Sequence, residues 1–226
     1  MDLHESAFAL DNAHVVPIEG NPFDGRLLVR DGRIVDLGPR IDVPAEVPLV
    51  PLDGAWVLPG FVDVHTHLGA AMQDVGPHDA DINERALSNA AGMRAIDSVN
   101  PADTAFDDAV AAGVTTVCVM PGSLSPIGGQ AVTLHTWGDV VDDMVLESAP
   151  ALKMAMGENA KREHALRNQV PVTRMGIAHT IRTALQAARE YAEQRATAEA
   201  AGLTFRTDPS LEPLAEVLAG RRRVRQ

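Results

Sequence analysis

Cysteine is almost absent from this sequence: Cys118 stands alone among 226 residues. An internal disulfide is therefore impossible, and the composition fits a reducing cytoplasm. Set in the apolar run VTTVCVMPG, Cys118 reads as a small buried hydrophobe. Aromatic residues make up only 4% of the chain, which argues against a pocket built to stack large flat ligands. Basic charge is short as well. Lysine and arginine number 19 against 31 acidic residues, a formal charge of −12. A surface that negative repels phosphate backbones, so no nucleic-acid partner is expected. No apolar run approaches the roughly 18 residues that a membrane span needs. The N-terminal MDLHESAFALDNAHVV lacks a basic segment leading into an apolar stretch, so no signal peptide is read. A cytoplasmic protein with no membrane partner is the expectation.

What is present is apolar bulk, 46% of the residues, enough for one large domain or a large domain with a small companion. Residues 1–58 read as short, punctuated strands. Asp31-Gly32 separates Leu27-Leu28-Val29 from Arg33-Ile34-Val35, and Asp-Gly suits a two-residue hairpin turn. Pro44, Pro48, Pro51 and Pro59 then bar any helix. A small antiparallel β-unit is expected, too small to stand alone. From residue 59 onward the pattern alternates. FVDVHTHL, VTTVCVMPG and PALKMAMGEN read as strands. PADTAFDDAVAAG reads as a helix with Pro101 near its start and Gly113 closing it. A long helix carries Ala178, Ile181, Leu185, Ala188 and Ala192 at helical spacing, with Gly202 after it. DPSLEPLAEVLAG reads as a helix with Asp208 as N-cap and Gly220 beyond its end. Alternation of this kind predicts an α/β fold with a parallel sheet and crossover helices, as a barrel or an open sheet. The closing RRRVRQ reads as the first half of another strand.

The chemistry-bearing stretch is LPGFVDVHTHLG, residues 58–69. Residues two apart on a strand share a face, so His65 and His67 stand with Asp63 and Phe61, while Val62, Val64, Thr66 and Leu68 take the face that packs under helices. Two imidazoles about 7 Å apart can converge on one ion, with a carboxylate supporting them. Lys153 lies inside an apolar strand, where an unpaired ammonium is costly and needs a purpose. The Gly128-Gly129 pair before Gln130 lets backbone approach something closely, or makes a plain turn. His135 in VTLHTWG stands between a pocket role and a structural one. His78 lies in a polar loop that either reaches a pocket mouth or stays on the surface.

LPGFVDVHTHLG, the preceding DGRIVDLG, and the later AAGVTTVCVMPGS, SPIGGQAVTLHTWG and ALKMAMGENAKR together resemble the metal-dependent amidohydrolase superfamily. Within it the similarity is to the imidazolonepropionase-related branch, in the same order along nearly the whole chain. The resemblance implies a (β/α)8 TIM-type barrel joined to a composite β-sandwich. Residues 1–58 would be the N-terminal part of the sandwich and 59–226 the first half of the barrel. It implies hydrolysis of an amide, cyclic amide or amidine C–N bond in a small molecule by a metal-activated water. His65 and His67 match the first two metal ligands, and Asp63 a supporting residue. The third contribution, a carboxylated lysine or a glutamate in the family, has two candidates here, Lys153 and Glu158. SPIGGQ resembles a substrate-side loop, which makes Gly128, Gly129, Gln130 and His135 candidate substrate contacts. One or two divalent ions are implied, with zinc foremost.

The family's remaining histidines and its general-base aspartate have no counterpart here and are expected beyond residue 226. The chain is accordingly expected to be inactive alone, with a second polypeptide or a homo-oligomer completing the barrel. The alternative is a non-catalytic remnant that binds metal weakly or serves as a protein-interaction module.

Overall fold

The structure is a computed structural model that describes residues 7–73 and 81–226. The chain divides into two compact units, Met1–Gly60 and Phe61–Gln226. Among the described residues no helix is long and apolar enough to cross a membrane.

The first unit is a five-stranded sheet. Its strands are β1 (Phe8–Val15), β2 (Phe23–Arg30), β3 (Arg33–Gly38), β4 (Leu49–Pro51) and β5 (Trp56–Val57). Asp31 and Gly32 both take positive φ, at 50° and 70°, and link β2 to β3 as an Asp-Gly hairpin. The pairings are not all antiparallel as expected. β4 and β5 both run parallel to β1, because the proline-rich segment carries the chain back across the sheet before it pairs. A small core of Ala9, Leu28 and Val47 holds the unit, and an Arg26–Asp11 ion pair holds the Asp11 carboxyl below the usual carboxylate range.

The second unit opens with β6 (Phe61–Thr66), α1 (Thr104–Ala111) and β7 (Val114–Val119), with β6 parallel to β7. Three strands follow: β8 (Ile127–Gln130), β9 (Val132–His135) and β10 (Val145–Glu147). After β11 (Ala151–Met154) come α2 (Glu158–Leu166), α3 (Arg174–Ala200), α4 (Glu212–Leu218) and β12 (Arg223–Arg225). One sheet has the order β10-β9-β7-β6 and the other β12-β11-β8. β11 and β12 are parallel, as the alternation predicts, but β8, β9 and β10 pair antiparallel with their neighbours. Ala131 alone separates β8 from β9, so the chain leaves one sheet and enters the other within a single residue. The fold is mixed α/β with several sheets rather than one parallel sheet.

Two cores support these sheets. Val117, Val119, Val132, Leu134 and Met144 pack with Phe106 of α1, and Ile127, Leu152 and Met154 pack with Ala184, Ala188 and Leu214. The glycines read as helix ends hold their places, with φ of 81° at Gly113, 67° at Gly202 and 71° at Gly220. The start of α4 differs from expectation. Asp208 accepts from the Ser210 backbone N–H in a turn, and the helix begins four residues later at Glu212, with Pro213 in its first turn. The buried stripe of α3 is Ile177, Ala184, Ala188 and Tyr191, rotated slightly from the one expected. β6 differs most. Val62 and Val64, assigned to a face packed under helices, are 59% and 62% exposed. β6 pairs on one side only, with β7, and Phe61 to His65 are all exposed.

Candidate functional site

The two histidines leave β6 where β7 ends. Thr66 is opposite Val119, and the Met120 N–H donates to the Thr66 carbonyl at 3.0 Å. The Met120 carbonyl in turn accepts from His67 Nδ1 at 2.8 Å. That bond requires a proton on Nδ1, which leaves the Nε2 lone pair free. His65, two residues earlier, lies edge-on to His67 with ring centroids 5.7 Å apart. Lys153, from the other sheet, brings its Nζ to 3.3 Å from His65 Nε2. The lysine is 4% exposed in a wholly buried strand. Its stem lies against Gly128, where an added Cβ would come within 3.3 Å of Lys153 Cγ.

Burial pushes the Lys153 pKa below its ordinary value. His65 is also shifted down, first by burial, then by the positive charges of Lys153 and His67, with Asp63 opposing. Both groups are therefore biased toward the neutral, electron-pair-donating forms that a metal ion requires. Among the described residues no group of three or more histidines, cysteines, aspartates or glutamates is placed to hold a metal; what the fold brings together here is His65 with His67 and with Lys153.

The other candidates are placed as follows. Asp63 turns its Oδ1 to the His65 backbone N–H at 3.0 Å and not to an imidazole. Glu158 is the first residue of α2, because Gly157 is extended and ends the strand-like run; its carboxylate pairs with Lys161 at 2.7 Å. Lys153 and Glu158 nonetheless line one cavity of about 230 Å³ with Ser123, Asn159 and Gln226. Gly129 has φ 118°, and a Cβ there would lie 2.8 Å from the Met93 carbonyl, so this glycine lets β8 run close beside residues 90–93. Gln130 is engaged at both ends of its amide, donating to the Ala91 carbonyl and accepting from Arg222. His135 pairs with Thr116, at the opposite end of β7 from Met120, and stacks on Trp137 at 4.4 Å. His78 lies outside the described residues.

Two participants were not visible as such in the sequence. The Met120 carbonyl carries no residue-type signal, because backbone does the work. Asp103, whose carboxylate holds the loop after His67, carried the signature of an N-cap just before the apolar-periodic stretch of α1. Pro101, two residues earlier, is the stronger helix-start signal and masks it.

No protein-family profile matches the chain. A curated protein, the amidohydrolase tasK of Hapsidospora irregularis, is 32% identical over 180 residues, covering 74% of this chain and 18% of that protein. An imidazolonepropionase of Ralstonia nicotianae is 34% identical over 116 residues, 44% of this chain and 28% of the enzyme. A dihydroorotase of Anaeromyxobacter sp. is 30% identical over 129 residues, 57% of this chain and 22% of the enzyme. Among solved structures, an amidohydrolase from Thermotoga maritima superposes with a TM-score of 0.91 at 37% identity, covering 94% of this chain and 55% of that one. The chain thus spans about half the length of the solved relative and less than a third of these curated ones.

Proposed function

Since the chain belongs to the amidohydrolase superfamily, matching its relatives along part of their length, we propose that it supplies the first half of a metal-dependent hydrolase of C–N bonds. In this reading residues 59–226 form the opening part of a (β/α)8 barrel and residues 1–58 part of a composite β-sandwich. The observation that carries it is the convergence of His65, His67 and the buried Lys153 at the ends of β6 and β11.

His65 and His67 would hold the ion, zinc foremost, through Nε2. A divalent ion there supplies Lewis acidity and an activated water. The Met120 carbonyl accepts from His67 Nδ1, which fixes the proton on that nitrogen and turns Nε2 toward the ion. Lys153, with its proton made easier to lose by burial, can add its amine nitrogen to carbon dioxide. The neutral amine would release one proton on forming the N–C bond and become a carbamate, whose oxygens could then serve as ligands. Glu158 is the other candidate for this place, at the rim of the same cavity. Gly128, Gly129, Gln130 and His135 remain the candidate substrate side. Relatives named imidazolonepropionase and dihydroorotase point to a small cyclic amide or amidine as substrate. The described donors stop at two imidazoles and a lysine, so the proton-accepting carboxylate and the remaining ligands would lie outside the described residues.

The shortage of described ligands also favours a second reading, a non-catalytic module that binds metal weakly. Native and denaturing mass spectra of the purified protein, with hydrolysis assays on imidazolones and dihydropyrimidines before and after chelation, separate the two. The hydrolase reading expects a complex carrying one or two metal ions, with turnover lost on chelation and restored by zinc. A metal-free chain in heterogeneous oligomers, with no turnover, would overturn it.

A further inference from the structure

The loop that follows His67 is folded onto the start of α1 by one buried carboxylate. Asp103 is 2% exposed. Its Oδ2 accepts from the Gly69 N–H at 3.0 Å, and its Oδ1 accepts from the Gln73 N–H at 3.0 Å and the Ala105 N–H at 3.2 Å. The bond to Ala105 is an ordinary helix N-cap. The other two contribute nothing to the helix and reach back across 34 and 30 positions of chain to the turn after His67.

That turn is built on His67 itself. The His67 carbonyl accepts from the Ala70 N–H at 3.0 Å and the Ala71 N–H at 2.9 Å, and the Gly69 carbonyl accepts from the Asn100 N–H at 3.0 Å. Gly69 has φ 75°, and a Cβ there would come within 2.9 Å of both Phe106 and Val99. The main chain from His67 to Gln73 therefore has a single seat, and Asp103 holds the N–H groups of Gly69 and Gln73 within it.

We propose that Asp103 is a positioning residue for His67. By fixing the turn it sets the direction in which the His67 imidazole leaves the backbone, so that Nδ1 meets the Met120 carbonyl and Nε2 faces the ion. The role at the metal rests on the reading of His67 as a ligand made above. A plain N-cap does not need an aspartate, since serine, threonine and asparagine cap as well. Three N–H donors arriving on both arms of the side chain need two oxygens, and only a carboxylate offers them. Asparagine would keep one arm and turn an amide NH2 toward an N–H on the other.

The test compares Asp103→Asn with Ala111→Gly, which loosens the last turn of the same helix without touching the loop. Two readouts are taken on the full chain: affinity for Co(II) by visible absorption, and the low-field His67 Nδ1–H signal of the metal-free protein by 1H–15N NMR. Asp103→Asn should weaken Co(II) binding about tenfold or more and lose the His67 signal. Ala111→Gly, at a similar loss of Tm, should change neither. Asp103→Ser, which keeps a capping oxygen and removes both loop bonds, carries the same expectation if the asparagine variant does not fold. Affinity and NMR signal unchanged in the Asp103 variants, or changed equally in Ala111→Gly, overturn the positioning role. A wild-type chain that binds no Co(II), while its Asp103 variants still lose the His67 signal, overturns the metal reading and leaves the positioning of His67 standing.

Discussion

Replacing Lys153 with methionine should stabilise the metal-free chain. Lys153 is 4% exposed, and its ammonium has one hydrogen-bond partner among the described residues, His65 Nε2 at a long 3.3 Å. Methionine keeps the Cβ and Cγ that pack beside Gly128 and replaces the charged end with a polarizable thioether that fits irregular space. Burying a poorly satisfied polar group costs about 1–3 kcal/mol in proteins. Losing the bond to His65 takes back about 1 kcal/mol. The net gain is about 0–2 kcal/mol, centred near 1, and at roughly 2–4 °C per kcal/mol for a domain of this size the Tm should rise by a few degrees. The gain should also depend on pH. A base whose folded pKa is depressed opposes folding in full below that pKa, and the opposition disappears as pH rises to its ordinary value of 10.5. Scanning calorimetry with chelator should therefore show the methionine variant ahead at pH 7 and the difference shrinking toward pH 10.5. Zinc binding should be weakened by the same substitution. A fall in Tm of several degrees at pH 7 would refute the reasoning, because it would mean that the ammonium is well satisfied where it lies.

Three further outcomes follow from the same geometry. Gly129→Ala should cost about 1–3 kcal/mol from positive φ alone, and more from the approach of its Cβ to the Met93 carbonyl; urea denaturation reads the loss. His65 should titrate with a midpoint below 6.5 in an NMR pH series, and the stability it contributes should fall as pH drops through 6.5 to that midpoint, since the unfolded chain takes up the proton first; a midpoint above 6.5 contradicts the placement. Leu214→Ala should remove about 2–5 kcal/mol, because Leu214 is fully buried in one core with Ile127, Leu152 and Ala188, and a normal Tm would show that α4 does not clamp the second sheet.

The sequence made local decisions legible wherever one residue type satisfies a backbone demand. Asp31-Gly32 announced its hairpin because both residues tolerate positive φ, and Gly113, Gly202 and Gly220 marked helix ends for the same reason. The weakly apolar residues 123–147 were less legible. Their antiparallel pairings depend on which sheet each strand reaches across Ala131, and no local pattern encodes that. The exposure of β6 was hidden too, since Val62 and Val64 spell a buried strand and yet stand exposed. At the site, the pairing of His65 with Lys153 spans 88 positions and rests on the meeting of two separate sheets. Residue type could nominate both partners, and only the fold could set the distance between them. Glu158 shows the converse: the strand signal before it was sound, but an extended Gly157 let a helix begin there.

The most direct test is an isothermal titration of zinc into the chain in bicarbonate buffer, run beside the His65→Ala/His67→Ala double variant. Saturable binding of one or two ions by the chain, lost in the double variant, is the predicted result. No binding by the chain, or the same heat from both proteins, would contradict the assignment of these histidines to a metal.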